Sequence, residues 1–308
     1  MEMRAVYAEC LAEFMEKDKH VCVLDADLAR SSGTFSLYKR FPDQCIDCGV
    51  AEQNMASMAA GLASYGFKPY IESFTPFATR RICDQIAISI AYANMNVKIV
   101  GMDPGIMAQL NGGTHMSMED IGVVRSIPRM VIYEPTDEVQ LRAAMPVINE
   151  YNGPMYIRLF RKQAPVIFGE DYKFDLFKAD VLKEGKDLTI CVSGFVTKDV
   201  IEVAELLKAD GIDAEIVSIH TIKPIDAETI MASAKKTGAV LTVENHNVVG
   251  GLRSAVLEAI AEAPVPLLSV GVQDRFGEVG TLPYLREVMG ITVENMVEAA
   301  KRVVALKK

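Results

Sequence analysis

The sequence predicts an α/β protein with two domains, each built around a mostly parallel β-sheet. Three observations predict this class. Short apolar segments alternate with longer amphipathic segments, as in chains that alternate strands with helices. Polar, Gly-containing segments follow many of the apolar ones, as loops follow buried strands. The 308 residues, half of them apolar, are enough for two domains of about 150 residues each.

The first half of the chain carries a regular alternation of strand and helix patterns. Apolar and β-branched runs predict strands at Cys22–Asp25, Cys45–Cys48, Lys68–Phe74, Val97–Met102, Met130–Tyr133 and Met155–Phe160. Periodic apolar residues predict helices over Met3–Lys19, from Ala51 to about Gly66, and over Phe77–Tyr92 and Glu138–Asn149. Polar loops are predicted over Leu28–Thr34 and Asp103–Asp120.

The periodicity is lost between Gln163 and Lys183, which predicts a linker. A second α/β unit follows it. The same patterns predict strands at Leu188–Ser193, Ala214–Ser218 and Val240–Val243, and helices over Lys198–Ala209, Asp226–Lys236 and Gly251–Ala261.

Composition and charge argue against several classes of protein. The formal net charge of −9 makes a general attraction to nucleic acid or to an acidic membrane unexpected. No apolar run reaches about 18 residues and no signal-peptide pattern opens the sequence, so we expect a cytoplasmic protein. Cys45 and Cys48 form a C-x-x-C pair inside a predicted strand, without a second pair, which disfavours a redox or zinc site.

The candidate functional residues follow predicted strands. In parallel sheets the loops after the carboxyl ends of the strands form the ligand crevice. Five segments fall at such ends, namely Asp27–Ser32, Gly49–Glu52, Phe74–Phe77, Asp103–His115 and Arg161. We therefore expect a binding site at that edge of the first sheet.

Glu52 is the ionisable residue in the first turn of the helix that begins near Ala51. The free amides and the dipole at a helix start favour a carboxylate there. Two interpretations are open. Glu52 is either an acid that only stabilises the helix start, or a carboxylate in a buried cleft that hydrogen-bonds a ligand nitrogen.

Other side chains near these strand ends have chemistry that suits a site. Phe74 and Phe77 are either core residues or a flat apolar wall for a heteroaromatic ring. His115 ends the Gly-rich loop Asn111–His115, and near neutral pH it can donate a proton to a substrate oxygen. The alternative for His115 is an ordinary surface residue.

Two segments could bind anions. Arg158, Arg161 and Lys162 bring cationic charge to a strand end, and Arg161 suits bidentate binding of a phosphate; surface charge is the alternative. The segment Asn247–Arg253 could bind an anion at a helix start, although its Gly-Gly pair favours close packing. The sequence has no P-loop and no Rossmann glycine motif after a strand, and it lacks the H-E-x-x-H and G-x-S-x-G motifs.

Several segments together resemble the C-terminal half of transketolase, most closely the split form in which that half is a separate subunit. The segments are GVAEQNM, ESFTPFATRRICDQI, NVKIVG, NGGTHMSMEDIGVVRSIP, SIHTIKPID and VENHNVVGGL. The resemblance covers nearly the whole chain. It implies a pyrimidine-binding domain at 1–165, a linker at 166–182 and a transketolase C-terminal domain at 183–308.

The resemblance implies thiamine diphosphate as the cofactor and assigns roles to single residues. Glu52 matches the glutamate that hydrogen-bonds the pyrimidine nitrogen and so promotes loss of the thiazolium C2 proton. Ala51, Phe74 and Phe77 match positions that line the pyrimidine pocket. His115 matches the histidine that faces the substrate hydroxyls.

The resemblance also assigns substrate contacts, some of which depart from the family pattern. Arg161, Arg4 and Ser31 match positions that hold the sugar phosphate. Asp103 stands where many transketolases have a histidine, and Asn111 stands where an acid reads a donor hydroxyl. These changes should alter the accepted hydroxyl pattern, so a branched, deoxy or sulfonated sugar is an alternative to the ordinary pentose phosphates.

The resemblance implies a partner. In the family, the Mg²⁺ and the diphosphate are held by a G-D-G motif and an Asn in the other half of the enzyme, and this sequence has no Gly-Asp-Gly. We therefore expect a separate N-terminal subunit, an active site shared between the two chains, and an assembly of two copies of each.

Other functions stay open at this point. Deoxyxylulose-phosphate synthase and the β subunits of 2-oxoacid dehydrogenases share the cofactor but decarboxylate a 2-oxo acid. Asp103 is compatible with the first, whereas the run Thr114–Asp120 favours transketolase over the second. A non-catalytic scaffold subunit that keeps the fold is the alternative outside this class.

Overall fold

The structure, a computed structural model, describes residues 1–307 and contains two β-sheets with helices packed against them. Its strands are β1 (Val21–Asp25), β2 (Cys45–Asp47), β3 (Lys68–Phe74), β4 (Lys98–Met102), β5 (Val131–Tyr133), β6 (Met155–Leu159), β7 (Asp180–Lys183), β8 (Leu188–Val192), β9 (Ala214–Ser218), β10 (Thr221–Lys223), β11 (Val240–Asn247) and β12 (Leu267–Val272).

The helices alternate with these strands. They are α1 (Met3–Lys17), α2 (Ala29–Ser32), α3 (Phe35–Arg40), α4 (Glu52–Ser64), α5 (Thr75–Ala78), α6 (Asp120–Arg125), α7 (Glu138–Glu150), α8 (Thr197–Ala209), α9 (Ala227–Thr237), α10 (Leu252–Ala259), α11 (Leu282–Met289) and α12 (Val293–Ala305). Across residues 1–307, each helix is too short or too polar to cross a lipid bilayer.

The larger sheet has the strand order β10-β5-β6-β4-β3-β1-β2, and all its pairs are parallel except β10 with β5. The central strands are buried along their whole length because helices cover both faces, which explains their nearly continuous apolar sequences. The parallel arrangement sends the carboxyl ends of β1, β2, β3, β4 and β6 to one edge.

The smaller sheet has the order β12-β11-β8-β9-β7, with β7 antiparallel to β9 and the other pairs parallel. The prediction of two α/β domains is therefore confirmed, and each sheet adds one antiparallel edge strand. These edge strands were not predicted because three or four residues are too few for a periodic pattern. β7 begins at Asp180, inside the segment predicted to be a linker.

β10 joins the two halves of the chain. It belongs to the second half in sequence, yet it pairs with β5 in the sheet of the first half. The Lys223 ammonium on β10 also donates to the carbonyl oxygens of Arg125, at 2.8 Å, and Ile127. The two units therefore share a sheet edge in addition to their connecting segment.

The prediction of one continuous helix over Phe77–Tyr92 is wrong. The segment forms α5, a 3-10 turn at Arg80–Ile82 and a π-helix at Gln85–Tyr92. The break lies at Thr79, whose backbone (φ −129°, ψ −86°) is not helical. The Thr79 hydroxyl donates to the Thr75 carbonyl oxygen at 2.7 Å, a bond of the kind that competes with regular helix hydrogen bonds.

Two predicted loops contain short helices. α2 lies within Leu28–Thr34, and a 3-10 segment, Gly105–Asn111, lies within the loop after β4. Gln109 interrupts that segment with a φ of 48° and a ψ of −117°. The structure also has α3, α6, α11, α12 and β12, for which the sequence analysis made no prediction.

A buried ionic network centred on Arg158 connects the two halves. Its guanidinium donates to the Asp120 carboxylate at 2.7 Å, to Glu134, and to the Asn245 carbonyl oxygen at 2.7 Å. Arg158 and Asp120 are fully buried, and Asn245 comes from the second half. Burial alone would raise the pKa of Asp120, but Arg158 and His246 hold that pKa below its usual value. Arg158 is thus committed to structure and is unavailable to an anion.

We expect Arg158→Met to lower the free energy of unfolding by about 3–5 kcal/mol, because it leaves two buried carboxylates without their cation. Urea unfolding measures this change. The matched control is Arg142→Ala, which removes a half-exposed ion pair with Glu9 and should cost less than about 1 kcal/mol. Equal losses in the two variants would contradict the structural role of the network.

Candidate active site

Glu52 lies at the edge predicted for the site. The turn between β2 and α4 is held by Asp47, whose carboxylate accepts from the backbone N–H groups of Gly49 (2.9 Å) and Asp27 (3.1 Å). Ala51 then forms the non-helical cap of α4, and its carbonyl oxygen accepts from Met55 N at 2.9 Å. Glu52 is the first residue of α4 and only 4% exposed.

One oxygen of Glu52 is paired and the other is free. Arg81 Nη1 donates to Glu52 Oε1 at 2.8 Å. Within residues 1–307, no group donates to Glu52 Oε2, and this oxygen is accessible to solvent. The free oxygen can therefore accept a hydrogen bond from a ligand. Arg81 was not predicted as a site residue, because its pairing with Glu52 is a contact between segments 29 residues apart.

Phe74, Phe77 and His115 form an aromatic cluster beside this carboxylate. The ring of His115 meets Phe77 edge-on at 5.2 Å and Phe74 at 5.7 Å between centroids, and the two Phe rings are 6.4 Å apart. The Arg81 guanidinium lies 3.8 Å from the Phe77 centroid, so Arg81 joins the cluster to Glu52. The arrangement supplies an apolar wall next to a free carboxylate oxygen.

The loop that carries His115 packs against the second half of the chain. A Cβ at Gly113 would lie 2.3 Å from the Gly277 carbonyl oxygen, so this close approach requires glycine. His115 Nδ1 lies 2.9 Å from the Thr114 hydroxyl oxygen, which leaves the other ring nitrogen for a ligand. Asn111 is exposed at the end of the 3-10 segment.

Asp103 and Arg161 form a pair at the ends of β4 and β6. Asp103 Oδ2 accepts from Arg161 Nε at 2.6 Å, and Asp103 Oδ1 accepts from the Arg161 backbone N–H at 2.9 Å. Asp103 has a φ of 53° and is 2% exposed. Both Asp103 oxygens are thus directed to Arg161, whose guanidinium lies 5.0 Å from the Phe74 centroid.

Arg4 and Ser31 lie next to this pair. The Arg4 backbone N–H donates to the Arg161 carbonyl oxygen at 3.2 Å. Arg4 Nη1 donates to the Ser31 carbonyl oxygen at 3.1 Å, while Arg4 Nε binds the exposed Glu2. All the residues predicted for cofactor and substrate, from Glu52 to Arg4, therefore lie along one edge. Among the polar ones, the side chains of Ser31 and Asn111 form no hydrogen bond within the described chain.

The sequence analysis also considered the Cys45–Cys48 pair and the start of α10 as possible sites. Neither is suited to redox chemistry or to binding an anion. Burial raises the pKa of the Cys45 thiol to about 12, the opposite of a reactive cysteine, and Cys48 is also a free thiol. The backbone N–H groups of Leu252 and Arg253, at the start of α10, both donate to the buried Glu244 carboxylate. Residues 1–307 contain no cluster of three or more His, Cys, Asp or Glu side chains arranged to hold a metal ion.

The chain is similar in sequence to transketolase domains and to transketolase subunits. The sequence matches the models of the transketolase pyrimidine binding domain over residues 1–166 and of the transketolase C-terminal domain over residues 177–296. It is 50% identical to the 6-deoxy-6-sulfo-D-fructose transketolase subunit SqwH of Clostridium sp. (strain MSTE9), over 99% of this chain and 95% of the relative. It is 35% identical to an apulose-4-phosphate transketolase subunit of Phocaeicola vulgatus, over 88% of this chain and 87% of the relative.

A solved structure described as a split gene transketolase, an inactive beta4 tetramer, is also similar. It superposes with a TM-score of 0.93 at 40% identity, with complete coverage of both chains.

We expect Asp103→Asn to have two opposite effects. It removes the carboxylate charge of Asp103 that neutralises the Arg161 guanidinium. The chain should therefore bind sulfate more tightly at this edge, as measured by calorimetry. It also weakens a buried charged hydrogen bond, so the free energy of unfolding should fall by about 1–3 kcal/mol. Unchanged sulfate affinity in a folded variant would contradict the role of Asp103 as the counter-ion of Arg161.

Proposed function

The chain belongs to the transketolase family, and we propose that it is the C-terminal subunit of a split transketolase that moves a two-carbon ketol unit between anionic sugars. The observation that carries this proposal is the free Oε2 of Glu52 next to the cluster of Phe74, Phe77 and His115.

The residues at this edge fit the pyrimidine ring of thiamine diphosphate. A flat heteroaromatic ring needs an apolar wall and a hydrogen-bond partner for its ring nitrogen. Phe74 and Phe77 would supply the wall, and Ala51 would lie at the edge of the ring. Glu52 Oε2 would form the hydrogen bond with the ring nitrogen. When bound, the cofactor supplies an acidic carbon and an electron sink for breaking a C–C bond.

Glu52 would hold a proton at the pyrimidine nitrogen and so fix the tautomer of that ring. Two features support this role. Glu52 is nearly buried, so its hydrogen bond to the ring is shielded from water. Arg81 fixes the other oxygen, which orients the carboxylate before any ligand arrives. Arg81 is therefore a positioning residue in this proposal.

The remaining predicted residues would bind the sugar. His115 would face a substrate hydroxyl, and it would donate a proton to that hydroxyl or accept one from it. Arg161, Arg4 and Ser31 would hold the anionic group at the far end of the sugar. Because Asp103 binds Arg161 through both oxygens, we propose that Asp103 acts on the substrate through Arg161. Asn111, exposed on the loop before His115, would contact a donor hydroxyl.

We propose that the partner is an N-terminal transketolase subunit that holds the diphosphate and its Mg²⁺, in an assembly of two copies of each chain. The names of the two relatives, each a transketolase subunit, support a divided enzyme. The similar split-gene transketolase is described as an inactive beta4 tetramer, which agrees with a chain that self-associates and needs a partner for activity. A cytoplasmic location completes the proposal.

We propose that the substrate is an anionic ketose outside the ordinary pentose phosphates, with 6-deoxy-6-sulfofructose as the first candidate. The relative at 50% identity is named for that sulfonated sugar, and another is named for apulose 4-phosphate. A sulfonate and a phosphate both present oxygen atoms that a guanidinium can bind. The same guanidinium groups of Arg4 and Arg161 could therefore serve either anion.

We expect Glu52→Ala to lower the turnover of the pair reconstituted with its N-terminal subunit and thiamine diphosphate by at least about 10²-fold, because the proton on the ring nitrogen is lost. Steady-state kinetics measures turnover, and analytical ultracentrifugation checks that assembly is retained. Ser57→Ala, at an exposed residue further along α4, is the control and should stay active. Full activity of Glu52→Ala would exclude this mechanism.

The substrate prediction is tested with a panel of donors, namely 6-deoxy-6-sulfofructose, apulose 4-phosphate, xylulose 5-phosphate and pyruvate, each supplied with an aldose phosphate as the acceptor. We expect the sulfonated ketose to have the highest kcat/KM, and we expect Asp103→His to change the ranking of the sugars because it releases Arg161. A preference for pyruvate would favour a decarboxylating enzyme, and no turnover with any compound would favour a scaffold subunit. An unchanged ranking in Asp103→His would remove Asp103 from substrate selection.

A further inference from the structure

The loop between β4 and α6, residues 103–119, carries three of the residues proposed to act on the sugar, Asp103, Asn111 and His115. Its backbone is strained at two non-glycine positions, because Asp103 has a φ of 53° and Gln109 a φ of 48°. Such angles persist only where surrounding contacts enforce them. The contacts that hold this loop therefore decide where the three side chains lie.

The base of the loop closes on itself. The Gly105 backbone N–H donates to the Ser117 carbonyl oxygen at 3.0 Å. Gly105 lies two residues after Asp103, and Ser117 lies two residues after His115. Whatever fixes Gly105 therefore also fixes the segment next to His115.

A side chain from the second half of the chain fixes Gly105. Asn245, on β11, donates through Nδ2 to the Pro104 carbonyl oxygen at 2.9 Å and accepts through Oδ1 from the Ile106 backbone N–H at 3.0 Å. A Cβ at Gly105 would lie 2.3 Å from Asn245 Oδ1, so this close approach requires glycine. The Asn245 amide thus pairs the backbone groups on both sides of Gly105.

Asn245 is itself held in place. Its side chain is 1% exposed, and its backbone carbonyl oxygen accepts from Arg158 Nη2 at 2.7 Å. Two residues further along β11, the Asn247 backbone N–H donates to the Met118 carbonyl oxygen at 2.8 Å. The second half of the chain therefore hydrogen-bonds the loop at both sides of its base, from a strand anchored by the buried Arg158 network.

We propose that Asn245 is a positioning residue through which the second half of the chain orients His115 in the active site. The inference rests on the proposed function, since it concerns the histidine that would face a substrate hydroxyl. Loss of the Asn245 amide leaves the buried backbone groups around Gly105 without partners, so the base of the loop rearranges and His115 moves. Arg158 keeps its partner, because it binds the backbone oxygen of Asn245.

Nuclear magnetic resonance of the full chain tests this inference, because the sequence has only four histidines. The rings of Phe74 and Phe77, with centroids 5.7 and 5.2 Å from that of His115, should shift its ring-proton resonance from the value of a free histidine. His115→Gln assigns the resonance by its loss. We expect Asn245→Ala to move the His115 resonance towards the free value and to leave the His220 resonance in place.

Val217→Ala is the matched control. It removes methyl groups from a fully buried side chain of β9, which lies in the same apolar cluster as Ile230 of α9, and so destabilises the second half at a different place. Its His115 resonance should stay at the wild-type position. An unmoved resonance in Asn245→Ala would overturn the inference, as would an equal movement in both variants.

Gly105→Ala replaces Asn245→Ala if that variant does not fold. Its methyl group would overlap Asn245 Oδ1 and separate the same groups from the other side. The His115 resonance should move in the same direction, and a resonance that keeps the wild-type position would contradict the inference.

Kinetics of the pair reconstituted with its N-terminal subunit gives a readout that a general loss of structure would not. We expect Asn245→Ala to lower kcat about tenfold. The KM for thiamine diphosphate should stay near the wild-type value, because Glu52, Phe74 and Phe77 lie on α4, β3 and α5 and not on the loop. Parallel changes in both constants would count against a positioning role.

The two readouts separate this inference from the proposed function. Ketol transfer by the wild type, together with an unmoved His115 resonance in Asn245→Ala, counts against Asn245 alone. Conversely, a moved resonance in Asn245→Ala without ketol transfer by the wild type counts against the proposed function alone.

Discussion

The site depends on a constraint of parallel sheets, namely that strands running in one direction all end at the same edge. In this chain the constraint brings together residues that are far apart in sequence. Glu52 follows β2, Phe74 ends β3, Asp103 follows β4 and Arg161 follows β6. The helices on both faces bury the strands, so their ends are held rigidly. A polar site can therefore be placed beside a core without being part of it.

Within this edge the charges are already paired by the chain itself. Arg81 binds Glu52, and Asp103 binds Arg161, so neither buried carboxylate is left without a cation. The pairing orients the side chains before a ligand arrives, and such preorganisation lowers the cost of binding. It also leaves a small set of free groups, chiefly one oxygen of Glu52 and one nitrogen of His115. We see this division between fixed and free groups as the chemical basis of the site.

Much of the architecture could be predicted from periodicity, because β3, β9 and α8 have regular patterns and lie within one residue of their predicted bounds. Features that depend on contacts between distant segments could not. The segment after Phe77 is broken at Thr79, and Arg81, two residues beyond the break, pairs with Glu52. β10 pairs with β5 across the two halves, although its three residues carry no pattern.

The central claim is that Glu52 meets the pyrimidine ring of thiamine diphosphate in a site completed by a second chain. The most direct measurement is an experimental structure of this chain assembled with an N-terminal transketolase subunit, thiamine diphosphate and Mg²⁺. The account predicts Glu52 Oε2 within about 2.6–3.2 Å of the pyrimidine nitrogen, with Phe74 and Phe77 against the ring. A cofactor bound entirely within one chain, or a Glu52 side chain turned away from the ring, would contradict it.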